Sequence, residues 1–169
     1  MSFLRKDYSN ERPKKALSPS QARVKIAAFC AYQERSQQEV RDKLYGYGLN
    51  KGDVEDLLTE MITEGFVNES RFAEAFVRGK FKLKKWGRVK IQQALQQHRL
   101  TQNCIKEGMK EINPDEYWET LLELAEKKWA STSNNEPLKR KAKVQRFLLY
   151  RGYENDLVQA ALEEVMEDF

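Results

Sequence analysis

A chain of 169 residues, 40% hydrophobic and 33% charged, has material for one core of ordinary size or for a few small units that share interfaces. No apolar run approaches the roughly 18 residues of a spanning helix, and Phe3 and Leu4 run straight into Arg5, Lys6 and Asp7, unlike a secretory signal. No membrane class is needed for such a chain, and on these two grounds an intracellular, cytoplasmic location is expected.

Residues 1–18 mix Ser, Asn, Pro and charges with no sustained apolar period, and read as a flexible basic arm. Ser18 and Pro19 then provide a cap and a first-turn proline for a helix carrying Ala22, Ile26, Phe29 and Cys30 inward. Ser36 and Glu39 form a capping-box pattern for a second helix that buries Val40 and Leu44 and stops at Gly48. Asn50 caps a third, with Val54, Leu57, Leu58, Met61 and Ile62 as its stripe and Gly65 as its end. A second unit starts at Asn68, with Phe72, Ala73, Phe76 and Val77 inward and Phe81 and Leu83 also assigned to the core. Gly87 breaks that helix, a helix through Ile91 and Leu95 follows, and Thr101 caps the next. Asn113, Pro114 and Glu116 open a third unit, whose first helix carries Tyr117, Leu121, Leu122, Ala125 and Trp129. A polar loop over 131–135 leads to a basic helix with Lys139, Arg140, Lys141, Lys143 and Arg146, which runs through Val144, Phe147 and Leu148 to Gly152. An acidic helix closes the chain near 154–167.

These units superimpose without gaps. A shift of 51 moves Val40, Leu44, Leu49, Val54, Leu58 and Met61 onto Ile91, Leu95, Leu100, Ile105, Met109 and Ile112. A shift of 104 moves them onto Val144, Leu148, Tyr153, Val158, Leu162 and Val165. The pattern predicts an all-α protein of three tandem three-helix repeats in an elongated modular arrangement, with repeats at 19–67, 68–112 and 113–169. At the position of Gly48 the second copy has Arg99, so either the turn differs there or Arg99 takes a less comfortable backbone conformation.

Charge is divided unevenly along the chain: +3 over 1–18, −2 over 19–67, +7 over 68–112 and −4 over 113–169. From Arg78 to Arg99 there are eight basic residues and no acidic one, a stretch that suits a polyanion or an acidic protein face. Catalysis has little support. No phosphate-cradling glycine loop occurs, and a lone His98, read as a surface residue near a helix end, leaves nucleophile–base pairs unsupported. Cys30 and Cys104 read as buried thiols, with no metal or cofactor site.

Three segments resemble signatures of the RecX family of recombinase regulators. They are Gly65-Phe66-Val67-Asn68-Glu69-Ser70-Arg71-Phe72-Ala73-Glu74-Ala75-Phe76-Val77-Arg78 with the basic run to Lys85 and Gly87; Lys143 through Tyr153; and Ser36 through Leu44. The resemblance covers roughly 20–166. It implies a non-enzymatic protein that binds the RecA filament on single-stranded DNA and inhibits its ATPase, strand-exchange and coprotease activities. Two departures stand out: Lys84, Lys85, Trp86 and Gly87 replace a frequent Lys-Gly-x-Gly, and His98, Arg99 and Leu100 replace a Lys-Gly-Ile turn.

On this reading Arg71, Arg78, Lys80, Lys82, Lys84, Lys85, Arg88 and Lys90 face the filament's DNA or acidic protein, and Arg146, Tyr150 and Arg151 add contacts. Lys80, Lys82 and Lys84 cannot share one narrow helix face at roughly 100° per residue. Trp86 is open between core packing, a helix-end anchor and base stacking. The lysines could serve solubility alone. A monomer is expected, with single-stranded DNA as a further partner and duplex DNA left open as another; the alternatives are a generic DNA-binding helical module and a scaffold for acidic proteins.

Overall fold

A computed structural model describes residues 15–133 and 135–169, and among them there are nine α-helices and no strand. They are α1 Pro19–Tyr32, α2 Gln37–Gly46, α3 Lys51–Thr63, α4 Glu69–Lys82, α5 Arg88–Gln97, α6 Gln102–Met109, α7 Pro114–Ser131, α8 Pro137–Tyr150 and α9 Asn155–Asp168. Residues 1–14, most of the expected arm, lie outside the described residues. The helices are an all-α repeat fold, grouped in two compact units, one ending at Asn68 and the other spanning Glu69–Phe169.

Local chemistry sets the helix starts. Ser18 and Gln21 close a reciprocal capping box ahead of Pro19, and Ser36, Asn50 and Thr101 each accept a hydrogen bond from the backbone N–H three residues on. Asn113 Oδ1 accepts from both Asp115 and Glu116, whose carboxylates also favour the positive helix start. At the other ends, Gly48, Gly65 and Gly152 take φ of 84°, 80° and 96°. Arg99, in register with Gly48 and Gly152, also turns left-handed, with φ 56°. The turn is therefore the same in all three repeats, and the second one makes it with a side chain that disfavours it.

The first unit has its own core, from Ala22, Ile26 and Cys30 through Val40, Leu44 and Leu49 to Val54, Leu58, Met61 and Val67. Leu17, in the segment read as a flexible arm, packs against this core and donates its N–H to the Tyr47 carbonyl. Arg23 ties α1 to α3 through Glu60 and Glu64, and Arg41 ties α2 to α3 through Glu55 at 2.8 Å. The Arg41 guanidinium holds the Glu55 carboxyl below its usual range.

The second unit holds six helices around one core. Phe81, Tyr117 and Tyr153 form an aromatic ladder through it, with ring centres 5.8 and 5.2 Å apart. Ala73, Val77 and Phe81 on α4 stand 51 residues after Ala22, Ile26 and Cys30 on α1, so the first repeat's register continues back through its opening helix. Of the eighteen apolar positions aligned from sequence, all are buried except Met109, at the end of the short α6, which is half-buried.

Several expectations need correction. Leu83, assigned to the core, is 83% exposed, because α4 stops at Lys82 and the following turn points it outward. Ile62 is 40% exposed, at the edge of the α3 stripe. Phe29 and Phe76 are only half-buried; the Phe29 ring is covered by the Arg35 guanidinium at 3.8 Å. Leu122 and Phe147 are likewise half-buried, packed against the edge of the second unit's core. His98 is half-buried rather than a plain surface residue, its ring packed on Phe72 and Phe76 at 4.8 and 5.4 Å, where those large rings need cover. Cys30 is buried, which raises its thiol pKa, but Cys104 is half-buried with its Sγ 3.9 Å from Ser70 Oγ.

Candidate functional site

The acid-free stretch begins on α4, crosses the turn of residues 83–87 and enters α5. Here α4 ends without glycine, and Lys85 takes φ 55° at the position where the resembled family often carries Gly. The turn is held by the third repeat. Gly87 N–H donates to the Arg151 carbonyl at 2.8 Å and Val89 N–H to the Gly152 carbonyl at 2.9 Å. Tyr153 Oη donates to the Lys85 carbonyl at 2.9 Å, and the Arg151 guanidinium donates to the Lys84 and Lys85 carbonyls. A Cβ on Gly87 would lie 2.2 Å from the Gly152 carbonyl carbon, so the two chain segments approach as closely as glycine allows.

One step further, Tyr117 Oη accepts from Arg88 N–H at 3.0 Å and donates to Glu154 Oε1 at 2.6 Å. The Arg88 guanidinium pairs with Glu154 Oε2 at 3.0 Å and lies 3.9 Å from the Tyr117 ring centre. Burial, reinforced by the Glu154 hydrogen bond, holds the Tyr117 phenol well above its usual range, and burial does the same for Tyr153. Each hydroxyl thus remains a neutral donor.

This architecture sorts the basic residues anticipated from sequence. Arg88 and Arg151 are engaged inside the protein, the first against Glu154 and the second against backbone carbonyls. Arg78 is exposed but paired with Glu111 at 3.3 Å, and Arg71 is exposed on α4. Lys82 and Lys84 are exposed, whereas Lys85 is half-buried and contributes its carbonyl to the turn. Lys80 and Lys90 are half-buried against Trp86, their ammonium groups 4.8 and 4.4 Å from its ring centre. Trp86, left open by sequence, packs against the core and carries both lysines. Lys90 also reaches the Tyr150 ring at 5.0 Å, and that tyrosine is 80% exposed. The structure thereby brings Lys80, Lys90, Trp86 and Tyr150 into one cation–aromatic cluster from two repeats.

A second cationic feature escaped the sequence reading. An open cleft of about 430 Å³ beside the end of α7 is lined by Lys128, Ser131, Thr132, Ser133, Lys143, Arg146 and Phe147. Of these, sequence reasoning marks only Arg146 as a contact. The −4 charge of residues 113–169 masks the cleft, because the acids of α7 and α9 outnumber the bases when the whole unit is counted, and Lys128 lies among the acids of α7 while Lys143 lies on the basic α8. Among the described residues no group of three or more His, Cys, Asp or Glu side chains could hold a metal ion, and no helix is long and apolar enough to cross a membrane.

Comparison with known proteins agrees with this architecture. Residues 68–109 match the model of the second three-helix domain of RecX, and residues 115–162 that of the third. The regulatory protein RecX of Neisseria meningitidis serogroup B is 30% identical over 157 residues, covering 93% of this chain and 95% of that protein. The chain belongs to the RecX family. Against some longer members it spans little more than half the length: 54% of the Bacillus mycoides protein, at 24% identity over 87% of this chain, and 61% of the Clostridium tetani protein, at 29% identity over 78%. The fold is that of the RecX crystal structure from Lactobacillus salivarius, with a TM-score of 0.77 at 21% identity, over 87% of this chain and 96% of that one. Membership places the chain among regulatory proteins.

Proposed function

We propose that this protein binds the RecA filament on single-stranded DNA and inhibits its ATPase, strand-exchange and coprotease activities, by contact and without bond-making chemistry of its own. The observation that carries the reading is the acid-free stretch from Arg78 to Arg99 in a chain belonging to a family of regulators. Its exposed lysines, Lys82 and Lys84, stand beside two more held over Trp86, a cationic and aromatic surface suited to a nucleoprotein polymer. The protein acts in the cytoplasm as a monomer.

Titration into RecA on single-stranded DNA should lower the ATPase rate at or below stoichiometric amounts. A rate unchanged across a wide titration sinks the proposal. Lys82→Glu with Lys84→Glu, both on exposed side chains, should raise the half-inhibitory concentration by roughly tenfold or more with helical content unchanged, since reversing two charges weakens polyanion contacts. The cluster of Trp86 and Tyr150 gives a second reading some support, that of a DNA-binding module indifferent to recombinase. Binding to naked duplex as tight as to the filament, with the same salt sensitivity, would favour it.

A further inference from the structure

The cleft between the end of α7 and α8 is unexplained by the surface of α4 and α5. Lys128, Lys143 and Arg146 converge on it, and among the described residues none of the three has an ion-pair partner. No acid lines the cleft. Like charges gathered in a concavity reinforce one another's potential and attract an anion. Lys128 is steadied by the Phe147 ring, with its Nζ 4.7 Å from the ring centre. Ser131 and Thr132 donate their hydroxyl hydrogens to the Lys128 carbonyl, so they offer the cleft lone pairs and the cations must do the recognising.

The cleft also has a direction. Lys143, Arg146, Phe147 and Tyr150 recur three and four residues apart and therefore share one stripe of α8. The stripe leads from the cleft to the exposed Tyr150 ring, which meets Lys90 at 5.0 Å, and Lys90 meets Trp86 at 4.4 Å. Cations and rings alternate along this path. A single strand can use both, because its phosphates pair with the cations while its unpaired bases stack on rings. A duplex keeps its bases inside and can use only the charges.

We infer that the α7–α8 cleft seats a backbone phosphate of a single-stranded nucleic acid, one of whose bases stacks on Tyr150. The third repeat is then a direct single-strand contact, separate from the exposed lysines after α4. This deepens the filament reading, yet it is scored without recombinase, so either can fail while the other stands.

Fluorescence anisotropy with a labelled oligothymidylate, an abasic strand of equal length and a blunt duplex tests it on the full chain. The triple variant Lys128→Gln, Lys143→Gln and Arg146→Gln should bind oligothymidylate at least tenfold more weakly. Its plot of log affinity against log salt should be shallower by about 0.7 for each phosphate that the variant no longer neutralises. Tyr150→Ala should weaken oligothymidylate by roughly 5- to 150-fold, the range for one stacked base, and leave the abasic strand and the salt slope unchanged. Tyr150→Phe should bind as the parent does. These side chains are exposed or half-buried, and matched thermal melts would verify folding. Equal losses on abasic strand and oligothymidylate for Tyr150→Ala, or unchanged binding in the triple variant, would overturn the inference. So would calorimetric binding of inorganic phosphate or ATP that the triple variant abolishes while oligonucleotide binding persists, which would make the cleft a small-anion site.

Discussion

At single residues the backbone shows where side-chain identity and conformation conflict. Arg99 holds φ 56° where the other two repeats use glycine, a conformation that costs an L side chain roughly 1–2 kcal/mol. Glycine relieves that strain but adds freedom to the unfolded chain, worth about 0.4–1 kcal/mol in the opposite sense. Arg99→Gly should therefore stabilise the protein by about 0.5–1 kcal/mol in urea unfolding, and a loss of stability would contradict the strained turn. The same logic reverses at Gly152. There φ is 96° and a Cβ would come within 2.3 Å of Lys90 Cβ and 2.6 Å of Lys90 N. Gly152→Ala should cost at least about 2 kcal/mol by the same measurement, because the contact atom is a helix backbone that cannot yield alone. The repeat register located both positions, since Gly48, Arg99 and Gly152 align at shifts of 51 and 104. Which of the two open alternatives Arg99 took was not legible, because a turn's dihedral angle is settled by the carbonyls it must satisfy and not by spacing.

Between elements, the second and third repeats are joined by a polar contact that no local pattern announces. Tyr117, Glu154 and Arg88 meet across 37 and 66 residues, and each belongs to a different helix start or cap. Helical periodicity marked Tyr117 as core and treated Arg88 as one more cation for a partner, since a sequence count cannot say which charges are used internally. The same limit concealed the α7–α8 cleft, where Lys128 follows the acids of α7 in sequence while Lys143 belongs to the basic α8, and only the fold brings the two together. The polar contact sets a pH limit. With phenol pKa values raised by burial at Tyr117 and Tyr153, the folded unit keeps both protons where the unfolded chain releases them. Their contribution is complete below the unfolded phenol value of about 10 and is lost as pH rises beyond it. Each group then lowers stability by up to about 1.4 kcal/mol per pH unit. Tyr117→Phe should roughly halve that alkaline slope while costing about 1–3 kcal/mol near neutrality, where Arg88 N–H and Glu154 are left without their shared hydroxyl. Urea unfolding at a series of pH values above 10 reads both effects; an unaltered slope would remove Tyr117 from the account.

For the molecule as a whole, three sequence repeats make two compact units, because repeats two and three share a core. The apolar register predicted burial at every aligned position except Met109, yet it carries no information on which repeats merge. Merging depends on the aromatic ladder, on a glycine-to-glycine approach and on hydrogen bonds to the turn of residues 83–87, all of which join positions remote in sequence. A fragment of residues 69–112 would leave Phe81 without Tyr117, Gly87 N–H without the Arg151 carbonyl and Arg88 without Glu154. Its size is also near the lower bound for a lone hydrophobic core. Fragment 69–169 keeps every one of these interactions and should unfold cooperatively, with helical circular dichroism and tryptophan fluorescence changing together. Fragment 69–112 should show weak helicity and no cooperative transition. A sharp melt of the shorter fragment would mean that each repeat folds alone, and the hydrogen bonds around Gly87 and Tyr117 would then orient finished modules instead of completing one.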